Sequence, residues 1–148
     1  MKREQLLGFM RSHRYAVQAS VSSTGGVQAA VVGIVVTDDF EIFFDTLADT
    51  RKARNLRCNA AIAFVIGGTA PEDGRSLQYE GVAGQPEGAE LERLTALYLE
   101  RFPDGRERQS WPGLIYLRAR PTWLRYSDFS HDPPEMVELD AMQLRVMS

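Results

Sequence analysis

The residues most suited to chemistry are concentrated in the run Asp45-Thr46-Leu47-Ala48-Asp49-Thr50-Arg51-Lys52-Ala53-Arg54-Asn55-Leu56. It sets two hydroxyls and three cationic side chains beside the start of a predicted helix. Free amides and the positive end of a helix dipole suit a phosphate. Arg51 brings a planar fork and Lys52 a point charge. A second reading treats Arg51, Arg54 and Arg57 as a solvated basic face that only keeps the helix in water. The residues by themselves support the two readings about equally.

Other reactive groups carry less. His13 and His131 stand far apart, with neither an HxH nor an HExxH spacing, so no metal site is expected. Asp38-Asp39 reads as a solvated hairpin turn. Cys58 is the single cysteine, too few for an internal disulfide or a cysteine-based zinc site, and it is expected as a packed thiol. Trp111 could cover a pocket, anchor a subunit contact or close over the core. No protein acid or base stands out, and the catalytic residues stay unassigned.

These groups need a scaffold, and 148 residues with a net charge of −3 allow one compact domain spanning 1–148. The mildly acidic balance argues against nucleic acid or an anionic membrane as partner. The N-terminal MKREQLLGFMRSHR has no continuous apolar stretch of signal or anchor type, so a cytoplasmic location is expected. Periodicity predicts a short helix over 2–13, a strand over 15–21 and, after the turn at 22–26, a long second arm over 27–37. That arm and the strand over 60–66 are apolar on both faces, as for strands covered on two sides. A two-turn helix over 51–58 is capped by Thr50. A further strand contains Leu77, Tyr79 and Val82, with Gly81 and Gly84 marking a bulge or close backbone approach. The most regular helix covers 87–102, and strands over 114–117 and 121–126 come last. The tail from Asp128 has weak periodicity. About six strands with hairpin-length links predict an antiparallel barrel.

The series VVGIVV, DD, EIFFDT, ADTRKARNL and AIAFVIG, continued by LQYEGVA, ELERLTALYLERFP and RPTWLRYSDF, resembles the pyridoxamine 5′-phosphate oxidase-like flavoproteins over most of the chain. The resemblance implies a mainly β fold with short helices, an antiparallel split β-barrel. It also implies an FMN cofactor held by Asp45 and Thr46 at a strand end and by Arg51 and Lys52 beyond it. The preceding strand would line the flavin through Ala30, Val31, Val32 and Gly33. Gln78, with Ser76 on the same side, stands for a family glutamine that reaches the ring. Ser127 occupies the place of a family aromatic. The vitamin B6 substrate motif of Arg-x-His form is not present, since the chain ends SDFSHDPPEMVELDAMQLRVMS. The expected protein is therefore a homodimer with flavin sites at its interface, acting as an FMN-dependent oxidoreductase on a small molecule other than the vitamin. An F420-dependent reductase and a non-catalytic flavin-binding or stress-response module are the alternatives.

Overall fold

The computed structural model describes all residues from Met1 to Ser148. Helix α1 (Arg3–Arg11) buries Leu6, Leu7, Phe9 and Met10, the one face that their spacing defines. Strands β1 (Tyr15–Val21) and β2 (Val27–Gly33) form an antiparallel hairpin with Val17 opposite Val31. In its turn Gly25 adopts φ 86°, a conformation that suits glycine. The arm expected over 27–37 is not one strand. Beyond Ile34 lies β3 (Val35–Val36), which pairs with β4 (Ile42–Leu47) instead of β1.

Helix α2 (Arg51–Cys58) leads to β5 (Ala61–Gly67) and β6 (Arg75–Gly84). After α3 (Gly88–Arg101) and the single turn α4 (Gly105–Arg108) comes β7 (Leu114–Asp128), then β8 (Glu135–Asp140) and α5 (Ala141–Val146). The sheet order is β2-β1-β5-β6-β7-β4-β3, with β8 added on β7, and the pairs are antiparallel. Strands β2 and β3 occupy opposite ends of this order although Ile34 alone separates them in sequence. A link of about 3.8 Å per residue cannot span a flat sheet, so the sheet must curl until its edges meet. This is the mainly β, antiparallel split barrel anticipated.

The two last strands expected over 114–117 and 121–126 are one strand of 15 residues. Pro121 cannot donate to a ladder. It is accommodated where the β6–β7 register shifts, between Glu80 and Gly81. A Cβ on Gly81 would collide with the carbonyl oxygen of Arg120 and lie 2.9 Å from the Tyr79 ring, so close backbone approach requires glycine there. Gly84, by contrast, faces open space. The tail is also ordered, and the strands number eight, with β3 and β8 having no separate counterpart in the expected set.

Inside the curl, Phe44, Phe64 and Tyr79 meet edge to face at 5.8 and 5.5 Å. Tyr79 donates its hydroxyl to the Ala119 carbonyl at 2.9 Å. A second cluster of Val35, Phe43, Leu94, Tyr98 and Phe102 fixes α3 against β3 and β4. The expectation that 27–36 and 60–66 are covered on both faces fails within one chain. Val27, Val31 and Val65 are exposed, as are Tyr15 and Val17 of β1 and Val82 of β6. The registers Val17–Val31, Val17–Val65 and Ala61–Val82 place them on one side of the sheet. Cys58 is exposed, not packed. No helix is long and apolar enough to cross a membrane.

Candidate functional site

A cleft of about 420 Å³ opens where the ends of β2 and β4 meet the start of α2, with α3 and α4 on its far side. Val31, Val32 and Gly33 form one wall, while Asp45, Thr46 and Lys52 come from the β4–α2 connection. The local sequence explains the connection. Thr50 caps α2, its Oγ1 accepting from the Ala53 amide at 3.3 Å while it donates to the Leu47 carbonyl at 2.8 Å. Thr46 Oγ1 lies 3.0 Å from Thr50 Oγ1, which ties the strand end to the cap. No acidic residue occupies the first turn of α2. The first helical amides lack intrahelical acceptors, and their positive end suits an anion.

The far side is a polar lock. Asp45 accepts from the Tyr98 hydroxyl at 3.0 Å and from Arg108 Nε at 2.9 Å, and Arg108 donates to the Tyr98 oxygen at 3.2 Å. Burial, followed by the neighbouring Asp45 carboxylate, pushes the Tyr98 phenol well up. Phe102 stacks on Tyr98 with centroids 4.9 Å apart. A Cβ on Gly33 would stand 2.8 Å from the Phe102 ring. The space left by Gly33 is thus taken up by the Phe102 ring. Trp111 lines the cleft and is half exposed, so the lid-on-the-core reading fails for it.

The structure therefore brings Val31, Val32, Gly33, Asp45, Thr46 and Lys52 together. Ala30, Arg51, Gln78 and Ser127 do not line the cleft of the single chain. Arg51 is exposed at the first position of α2. Gln78 is exposed opposite Val65 and Arg125, on the open side of the sheet. Ser127 is buried and pairs with Ser76 and Met136. Sequence reasoning missed Tyr98 and Arg108 as site residues. Tyr98 reads as part of a helix stripe, and Arg108 as one charge in a polar loop. A larger recess, about 720 Å³, lies across α3 beside Arg11, Arg93 and Arg101, and none of the expected site residues borders it.

The family model described as Pyridoxamine 5′-phosphate oxidase matches residues 3–128. No curated protein matches the chain. A heme-binding protein from Mycobacterium smegmatis shares the fold at TM-score 0.83 and 16% identity, over 96% of this chain and 59% of that one. The chain thus spans 59% of that protein's length, less than two thirds. HutZ, a heme storage protein from Vibrio cholerae, superposes at TM-score 0.69 and 18% identity, covering 82% of this chain and 91% of that one. A pyridoxamine 5′-phosphate oxidase-related, FMN-binding protein from Nostoc punctiforme PCC 73102 superposes at 0.66 and 13% identity, over 92% of each chain. At these identities the structures speak for the fold, whereas the family model covers most of the sequence: the chain belongs to the pyridoxamine 5′-phosphate oxidase-like family.

Proposed function

We propose that the protein binds FMN in the cleft between β2 and α2, as a homodimer, and serves as a flavin-dependent oxidoreductase acting on a small organic molecule. The observation that carries the reading is the β4–α2 connection. Thr46, Thr50 and Lys52 converge there on a helix start whose first turn carries no acid, and Asp45 is already engaged by Tyr98 and Arg108, which leaves a donor set suited to a phosphate monoester. Val31 and Val32 offer an apolar wall and Trp111 a broad aromatic surface, both suited to a flat ring. Bound FMN would supply hydride or electron transfer, while the protein supplies binding and orientation. Asp45 is already held by Tyr98 and Arg108, so it serves the site by fixing the strand end. Arg51 adds long-range attraction for the phosphate from the exposed first turn.

The open valine and alanine side of β1, β2 and β5 favours a second copy of the chain as its cover. Such a partner would bring Gln78 to the interface. The exposed Cys58 and the lack of disulfides suit a reducing cytoplasm.

The reading is tested by titrating purified protein with FMN and riboflavin. FMN should bind the more tightly, and Lys52→Ala should weaken FMN about ten-fold while leaving riboflavin nearly unchanged, the scale of one charge-assisted hydrogen bond. Equal loss for both ligands would reject a phosphate site at Lys52. Absorption of copurified material separates flavin from F420, and from the heme bound by the M. smegmatis and V. cholerae proteins. Substrate-dependent reduction of the flavin separates an enzyme from a storage or stress-response module.

A further inference from the structure

The hairpin that joins β7 to β8 carries a donor set unrelated to the cleft. Asp128 ends β7, Glu135 begins β8 directly opposite it, and His131 lies in the turn between them. One carboxylate oxygen of Asp128 is fixed, since Oδ1 accepts from the Ser130 amide at 2.9 Å and from the Ser130 hydroxyl at 2.6 Å. The other, Oδ2, faces His131 Nε2 at 3.4 Å. Asp128 is buried, whereas His131 and Glu135 are exposed, so a rigid carboxylate meets two accessible ligands. One donor atom from each residue falls in a group whose members all lie within 4.8 Å of one another. Ligands at about 2.0–2.2 Å from a shared ion are at most about 4.4 Å apart, so small side-chain adjustments would close the site.

The geometry points to a divalent transition-metal site formed by Asp128 Oδ2, His131 Nε2 and a Glu135 carboxylate oxygen. An Asp–His ion pair would account for the first two residues but not the third. The Glu135 carboxylate makes no hydrogen bond or ion pair within the chain, although its strand register delivers it to the same cluster. Arg75, the nearby cation, is occupied by a two-pronged contact with Asp73 at 2.8 and 2.8 Å. One imidazole with two carboxylates favours zinc or manganese over magnesium, which prefers oxygen alone. Three protein ligands leave further positions for water. Spacing motifs miss this set because strand pairing, not helical periodicity, makes it converge.

The test is isothermal titration of the chelator-treated full chain with zinc chloride, with magnesium chloride as comparison. One zinc per chain should bind, and His131→Ala and Glu135→Gln should each weaken it ten-fold or more. His13→Ala should leave zinc affinity unchanged. Manganese should broaden the NMR signals of the His131 imidazole at lower metal ratios than those of His13. Circular dichroism confirms that the variants are folded, and the near-isosteric Glu135→Gln keeps the test valid if His131→Ala is not. Absence of zinc binding up to millimolar metal, or binding that both variants retain at full strength, would overturn the site.

Discussion

At the scale of single residues, most charges act on structure. Asp38 and Asp39 behave as the turn formers their position suggests, and they receive Arg11 at 2.7 Å and Arg3 at 3.6 Å from α1. Asp73 is gripped by Arg75, first through its side chain and then through its backbone amide, and its carboxyl is lowered to about 2. A carboxyl lowered on folding contributes stability above its unfolded value, and that contribution is lost as pH falls through the folded value. The thermal midpoint of Asp73→Asn should therefore lie below that of the parent at pH 5 to 7, and the gap should close on acidification from about 4 towards 2. A gap that persists at pH 2 would contradict the assignment. Tyr98 and Tyr79 work in the opposite sense. Their phenols are raised chiefly by burial, so above about pH 10 the unfolded chain ionises first and folding weakens.

At the scale of elements, the β6–β7 pairing shows how two unfavourable residues make one feature. Pro121 cannot donate and Gly81 has no side chain, and the register shift sets the two opposite each other. Thr122, left over by the shift, donates its hydroxyl to the Glu80 carbonyl at 3.1 Å. Gly81→Ala would drive a methyl into the Arg120 backbone, which cannot swing aside as a side chain can. It should cost about 2–3 kcal/mol in chemical denaturation, the upper part of the range for overpacking, whereas Gly84→Ala should be near neutral. Similar stabilities for the two variants would show that the bulge is not constrained. Helix α2 follows the same logic, because its polar sequence stays in place through the Thr50 cap and the buried Ala53, Asn55 and Leu56. Asn55 is held from inside by donating to Ser20 Oγ at 3.0 Å.

At the scale of the whole molecule, the unresolved demand is the apolar side of β1, β2 and β5. Val31 is 66% exposed and Val27 84%, well beyond scattered surface residues, and they adjoin Val17 and Val65 on one sheet. A two-fold contact over this side would make the same strands serve both copies. Light scattering should give about twice the 16.6 kDa chain mass. Val65→Lys, central to the face yet away from the cleft, should shift the population to monomer and lower FMN occupancy with it. A standard interface buries about 1,200–2,000 Å², so one desolvated lysine at its middle is disruptive. A variant that remains dimeric would place the interface elsewhere.

The sequence by itself determined the order of the main elements and the antiparallel barrel, and it singled out the Thr46–Lys52 run as the place richest in groups for chemistry, because these depend on local periodicity, capping and turn chemistry. It also showed that 27–36 and 60–66 are apolar on both sides, although it could not say that the chain leaves one side open. Only the tertiary structure decided that β2 and β3 part at Ile34, since the break follows from closing the curl. Only it joined Tyr98 and Arg108 to Asp45, which lie 53 and 63 positions away. The strands expected over 114–117 and 121–126 join into one because Pro121 finds its partner in Gly81, and the weakly periodic tail gains β8 from pairing with β7. Long-range pairing selects among locally equivalent options, and its energy comes from contacts that no short window of sequence contains.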